Sequence, residues 1–394
     1  MWRIPIHQIT YETVRDFCEQ RIAEGPQLDY GLDLRKDIAK TMCAFANTQG
    51  GLLILGVEDD KDNRPVLPIA GVESKRGLRE QVVSKAYDAI APPVFPEVQV
   101  CEFAHEQTGD QRAIIVVRVD QSDAGPHAMD QGRRAYVRLD DQSRPEQLAT
   151  MAQLSWLMER RQRSMDLRER VWEHMRRHAA VALGFGPAKL DIPCYRLLGT
   201  PVFPTGPLAS REQLLQLVER VKASPGWAPY STGEMFARPV GGGACVGPLR
   251  SQPSRWYAEV NENGLVICVE HVARDSEVAP PHLDKAVRLL CHWLSRLGEI
   301  WRDVGFFGPG LVRFERTAVE TNVGLDWDGP KDRYGEYYCP DEIVTVEREV
   351  LAREVADALP AMAADILTEF AWAFGRKLSG KEAEDHVSRV RGSP

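Results

Sequence analysis

The sequence predicts an α/β (α+β) protein: a mixed-sheet N-terminal domain, a charged helical connector and a second α/β domain. Three observations carry this. Apolar runs of strand period alternate with helical periodicity over residues 1–155. Residues 156–183 are dense in arginine and glutamate with no strand signal, and alternating runs with turn residues return over 184–394. At 394 residues the chain is long enough for two or three domains.

The elements follow in order. Thr10-Tyr11-Glu12 opens a helical stretch in which Val14, Phe17, Cys18 and Ile22 recur at a spacing of three to four, and Gly25-Pro26 breaks it. Leu28 to Leu34 alternates apolar with polar or small residues, a half-buried strand. Asp37 is placed to cap a helix through Ile38, Met42, Cys43 and Phe45, which stops near Gly50-Gly51. Leu52 to Val57 is a continuous apolar run and so a strand buried on both faces. Further strands are expected at Val98–Phe103, Ala113–Val119 and Tyr136–Leu139.

The connector carries Arg160, Arg161, Arg163, Arg168, Arg170, Arg176 and Arg177 among Glu159, Asp166, Glu169 and Glu173. A solvated helix face with i,i+4 pairs is one reading, and a phosphate-touching stripe the other. Beyond it, Ser210-x-x-Gln213 has the form of a capping box, with Leu214, Leu217, Val218 and Val221 on one helix face. Asn263-Gly264 between two alternating runs marks a hairpin over Trp256–Glu270. Val287, Leu290, Leu294, Leu297 and Trp301 form a helical seam, and a last amphipathic helix runs through Ile366, Phe370 and Phe374. Gly241-Gly242-Gly243 lacks the following Gly-Lys-Ser/Thr of a phosphate loop and reads as a turn.

Composition excludes several classes. Hydrophobic residues at 43 % rule out a disordered chain. No apolar run approaches the roughly 20 residues of a membrane span, and Met1-Trp2-Arg3-Ile4-Pro5 lacks a secretion signal's apolar core, so a cytoplasmic protein is expected. The net charge, 49 − 57 = −8, argues against a general nucleic-acid binder and leaves room only for a local basic face. Cys18, Cys43, Cys101, Cys194, Cys245, Cys268, Cys291 and Cys339 are scattered without ligand spacing, as buried thiols are.

Glu24, Asp29 and the Glu58-Asp59-Asp60 run at the end of the buried strand are the acidic positions with chemical potential. Carboxylates brought together repel one another unless a cation lies between them. An oxygen-only set suits Mg²⁺ or Mn²⁺, which would polarise a phosphodiester and activate water. Solvated loop acids are the plainer reading of the same residues. Asn47 is read as structural, bonding the loop backbone or tolerating a left-handed turn, and His127 as a surface bystander or a proton carrier.

Glu24-Gly25-Pro26-Gln27-Leu28-Asp29-Tyr30, followed by Ala44-Phe45-Ala46-Asn47-Thr48-Gln49-Gly50-Gly51, an apolar strand and Gly56-Val57-Glu58-Asp59, resembles the Schlafen AlbA_2 domain. Ile90-Ala91-Pro92-Pro93, Val119-Asp120-Gln121-Ser122 with Pro126-His127, and Tyr136-Val137-Arg138 extend the likeness over roughly residues 8–155. The resemblance implies a divalent-metal-dependent endoribonuclease acting on tRNA or structured RNA, with a role in antiphage defence. By position, Glu24, Asp29 and Asp59 would be both the catalytic acids and the ligands of Mg²⁺ or Mn²⁺. Arg35, Lys36, Arg133, Arg134 and Arg138 are the expected RNA contacts. The family's lysine after the acid-aromatic pair is Gly31 here, which favours an alternative: a non-catalytic nucleic-acid- or nucleotide-binding regulatory module. Related cores set two such lobes around a duplex, so a homodimer is expected, with the C-terminal domain sensing an unknown trigger.

Overall fold

The computed structural model describes residues 1, 4–34, 38–105, 108–138, 144–148, 150–186, 192–204, 206–223, 235–248, 255–272, 283–317 and 341–392. Asp37, Leu139 and Cys339 lie outside them, and so do Arg35 and Lys36. The chain divides into two compact units, Met1–Ser164 and Met165–Pro394. The division falls inside the stretch expected as a connector.

The first unit opens with α1 (Tyr11–Glu19), capped by Thr10, whose hydroxyl accepts from the Thr13 amide. Arg21 at φ 48° turns the chain away sooner than the apolar spacing to Ile22 implied. Next come β1 (Leu28–Gly31), α2 (Ile38–Asn47), β2 (Gly51–Leu55), β3 (Val72–Glu73) and α3 (Leu78–Ala89). They are followed by β4 (Ile90–Ala91), β5 (Glu97–Ala104), β6 (Gln111–Val119), β7 (Ala128–Met129), β8 (Arg134–Val137) and β9 (Glu146–Gln147). β1 is shorter than the alternating run through Leu34, because the Gly31 carbonyl turns to accept the Gly56 and Val57 amides.

The main sheet is mixed. β1 runs parallel to β2, β2 antiparallel to β6, and β6 carries β3 and β5 as further antiparallel partners. α1 sends Val14, Phe17 and Cys18 onto one face, against Leu28, Tyr30, Leu52 and Ile54. α2 and α3 cover the other, with Met42, Phe45 and Val82 against Leu53, Leu55 and Val117. This is why β2 reads as unbroken apolar sequence: both of its faces are dry. A second sheet runs β4-β7-β8-β9.

Helix α4 is Met151–Ala182. The second unit continues with β10 (Cys194–Pro201), α5 (Arg211–Ala223), β11 (Met235–Val240), β12 (Gly243–Pro248), β13 (Trp256–Asn261) and β14 (Val266–His271). α6 (Leu283–Asp303), β15 (Pro309–Thr317), β16 (Ile343–Leu351), α7 (Leu359–Ala373) and α8 (Gly380–Gly392) complete it. Its seven described strands form one antiparallel sheet in the order β11-β12-β13-β14-β10-β15-β16. Ser210 and Gln213 make the reciprocal bonds of a capping box at α5. The Asn263-Gly264 turn, with Gly264 at φ 80°, joins β13 to β14, and Gly242, also at φ 80°, turns β11 into β12. The predicted seam of α6 is buried throughout. Its approach to the sheet needs a glycine, since a Cβ at Gly199 would stand 2.4 Å from Leu297. The far side of this sheet is covered by Trp172, Met175 and Ala179 of α4. Among the described residues no helix is long and apolar enough to cross a membrane.

Candidate functional site

A tight turn builds the site. Gly25 and Leu28 exchange backbone hydrogen bonds of 3.0 and 3.3 Å, which folds Glu24 back alongside β1. The Glu24 carboxyl then accepts the Tyr30 amide at 2.9 Å and becomes a hydrogen-bonding neighbour of Asp29. Burial, and then the hydrogen bond and charge of Asp29, push Glu24 up to about 8, with Asp59 adding to the rise and the Tyr30 amide opposing it. At neutral pH Glu24 therefore keeps a proton and shares it with Asp29. Glu24 and Asp29 are brought together, as the resemblance implied.

Asp29 is held from two further directions. The Thr41 hydroxyl of α2 donates to its Oδ2 at 2.8 Å, and the Arg138 guanidinium forms an ion pair with the same oxygen. Arg138 also donates to the carbonyls of Gly25 (2.6 Å) and Leu28 (3.1 Å), and it lies over the Phe45 ring at 4.6 Å. Its side chain is 0 % exposed. The expectation that Arg138 meets RNA phosphates is thus corrected: the strand end turns it inward, where it neutralises the carboxylate pair and braces the turn that presents it. Arg133 and Arg134 are exposed as expected, on the β7–β8 hairpin, with Arg134 ion-paired to Asp130.

Asp59 stands apart. It is exposed on the loop after β2, bridging backbone to Pro65, while its neighbour Asp60 pairs with Arg21 at 2.6 Å. Among the described residues no three His, Cys, Asp or Glu side chains form a group able to hold a metal ion. The donor chemistry of Glu24 and Asp29 suits a hard cation. Arg138 and Thr41 hold Asp29 Oδ2 and Tyr30 holds Glu24 Oε1, which leaves one oxygen of each carboxylate for a cation and, among the described residues, no third ligand grouped with them. A side chain at position 31 would need Leu55 to yield by a few tenths of an ångström, since a Cβ there lies 3.0 Å from Leu55 Cδ2.

The Ala-Phe-Ala-Asn-Thr motif serves as a brace. Asn47 donates to the carbonyls of His127 (2.8 Å) and Tyr136 (2.9 Å) and accepts the His127 amide at 2.8 Å, so the loop-bonding reading is the one realised. His127 is no surface residue: it is 1 % exposed, with Nδ1 2.7 Å from the Pro92 carbonyl and Nε2 2.8 Å from the Ser122 hydroxyl. Burial pushes it down to about 4, so at pH 7 it is neutral, with a single ring proton that the Pro92 carbonyl accepts from Nδ1.

Sequence reasoning missed Arg160. Rather than face solvent on a basic stripe, it is buried, donating to the carbonyls of Ala46 (3.3 Å), Asn47 (3.2 Å), Thr48 (3.4 Å) and Ser122, and paired with Asp123 at 3.2 Å. It closes the C-terminal end of α2, where a helix leaves its last carbonyls without intrahelical donors. The aromatic-arginine pair Trp156/Arg160, one turn apart and stacked at 5.0 Å, is the trace it leaves in the sequence.

Residues 24–147 match the family model described as Schlafen, AlbA_2, a match that begins on Glu24 itself. The first unit carries a Schlafen AlbA_2 domain. The resemblance read over residues 8–155 is in this way supported over its motif-bearing part, and the second unit lies outside the match. No curated protein matches the sequence.

Proposed function

We propose that this AlbA_2 domain is a nucleic-acid-binding module that holds tRNA or another structured RNA without cutting it. The observation that supports this best is Arg138. A permanently charged guanidinium, closed off from water, sits on Asp29 Oδ2 and already supplies the carboxylate pair with a positive charge. The proton on Glu24 completes the neutralisation, and Gly31 supplies no cation of its own. Phosphate contacts fall to the exposed Arg133 and Arg134. Labelled total tRNA titrated in EDTA should bind, weaken with salt as counterions are released, and stay intact when Mg²⁺ or Mn²⁺ is restored.

The second reading is the divalent-metal-dependent endoribonuclease of antiphage defence. The Glu24–Asp29 pair favours it, because a divalent cation that displaced the shared proton would relieve their repulsion. It requires Asp59 to swing in. Cleavage that needs Mg²⁺ or Mn²⁺ and disappears in Asp59→Ala establishes this second reading and overturns the first.

A further inference from the structure

One rim of the second sheet in the first unit carries an aromatic pair that meets water. Tyr87, in the last turn of α3, keeps 48 % of its surface exposed. Its ring meets that of Phe95 edge to face, with centroids 6.2 Å apart and planes at 64°, an arrangement that aromatic pairs favour. Phe95 is itself held in place. Val94 beside it is buried in the core of α2 and α3, and Pro93 and Pro96 restrict the backbone on either side. An edge-to-face contact occupies at most one face of the Tyr87 ring. The ring is therefore fixed in direction, and with half of the residue in water a flat side of it stays accessible.

Strand register sets a cation at the same rim. Ile90 opposes Met129, and Met129 opposes Arg134, whose neighbour Arg133 bonds back to the Met129 carbonyl at 3.0 Å. Because β4 and β7 are antiparallel, the end of α3 that leads into β4 and the turn that leaves β7 toward Arg133 lie at one end of the sheet. Two strand spacings, about 10 Å, separate Ile90 from Arg134 across it. Asp130 holds Arg134 in an ion pair, while Arg133 is exposed and pairs with no carboxylate among the described residues. Asp88, exposed next to Tyr87, repels a phosphate and leaves Arg133 as the point that attracts one. An open ring near a guanidinium is what unpaired nucleotides select: the base stacks on the ring through its π-face and the phosphate meets the cation. Bases within a duplex are stacked on one another and closed to such a ring.

We propose that Tyr87, braced by Phe95, stacks an unpaired RNA base whose phosphate is held by Arg133. The ligand of the first unit is then an RNA with an open loop or a free end, not a continuous duplex. This rests on the RNA-binding reading above, and the test separates the two. Fluorescence anisotropy of the full chain in EDTA compares a labelled RNA hairpin with the fully paired duplex of its stem over a range of salt. The hairpin should bind more tightly than the duplex. Tyr87→Ala should weaken hairpin binding by about fivefold to a hundredfold, the range of one lost base–aromatic stack. Its salt dependence should match the wild type, because stacking releases no counter-ions. Tyr87→Phe, which keeps the ring, should bind as the wild type does, whereas Arg133→Ala should flatten the salt slope by about one. If Tyr87→Ala melts lower than the wild type, Tyr87→Leu, which keeps apolar bulk without an aromatic face, decides. Equal hairpin affinity in Tyr87→Leu and the wild type, or a duplex bound as tightly as the hairpin, overturns the stacking proposal and leaves the RNA-binding reading standing. An unchanged salt slope in Arg133→Ala overturns the phosphate contact, and binding of neither RNA overturns the proposal and that reading together.

Discussion

Replacing Arg138 by methionine separates the two readings of the carboxylate site. The substitution keeps the side chain's bulk against Phe45 but strips the charge from Asp29 and leaves the Gly25 and Leu28 carbonyls without their donor. Removing one partner of a buried ion pair costs about 3–5 kcal/mol. For a unit of this size 1 kcal/mol moves the melting point by about 2–4 °C, so the first unit should melt roughly 6–20 °C lower. Circular dichroism melts of the full chain measure this. The exposed carboxylate pair should then acquire a taste for divalent ions that the wild type lacks. At ten times its Kd, Mn²⁺ would return about 1.4 kcal/mol of stability to Arg138→Met. Adding Asp29→Asn should recover most of the loss and abolish the Mn²⁺ response, because the two residues are one coupled pair. A destabilisation under about 1 kcal/mol, or an equal Mn²⁺ response in the wild type, refutes the claim that Arg138 is the site's resident cation.

Four further outcomes are expected. Glu24 holds its proton up to about 8, against an ordinary glutamate near 4.5, so its contribution to stability is full below about pH 4.5 and fades as the pH rises through 8. Glu24→Gln should flatten that slope in pH-resolved denaturant titrations, and an unchanged slope would remove Glu24 as its source. Arg160→Met should cost the first unit about 3–5 kcal/mol, whereas Arg163→Met, exposed and hydrogen-bonded to the Glu159 carbonyl of its own helix, should cost under about 0.5 kcal/mol by the same denaturant assay. Gly199→Ala forces a methyl into Leu297 and should destabilise the second unit by about 1–3 kcal/mol in thermal melts. A homodimer is the expected form, and a monomer mass by light scattering at micromolar concentration, with and without tRNA, argues against it.

What could be read in advance divides along physical lines. Local signals carried well: the Asn263-Gly264 hairpin, the Ser210 cap and the α6 seam each depend on neighbours within a few residues. β10 escaped notice because helices cover both faces of its sheet. Every one of its residues is buried, and Arg196 and Thr200 interrupt the apolar run that would otherwise announce a central strand. At the site, the pairing of Glu24 with Asp29 was legible through the family resemblance, and the Gly25–Leu28 turn that makes it is local. The placement of Arg138 was not, since its partners lie 109 to 113 positions away and only tertiary packing decides whether a strand-end arginine points out or in.

The fork of Arg160 has a practical corollary for anyone excising the AlbA_2 domain. Its family match stops at residue 147, yet the donor that closes α2 resides on α4, thirteen positions later. A fragment cut at the match would expose the carbonyls of the Ala-Phe-Ala-Asn-Thr brace and release the loop bearing Ser122 and His127, so failure of such a fragment to bind the proposed RNA would report a broken scaffold instead of a missing binding residue. Fragments carried through at least Ser164 retain that brace and put the question to the site itself.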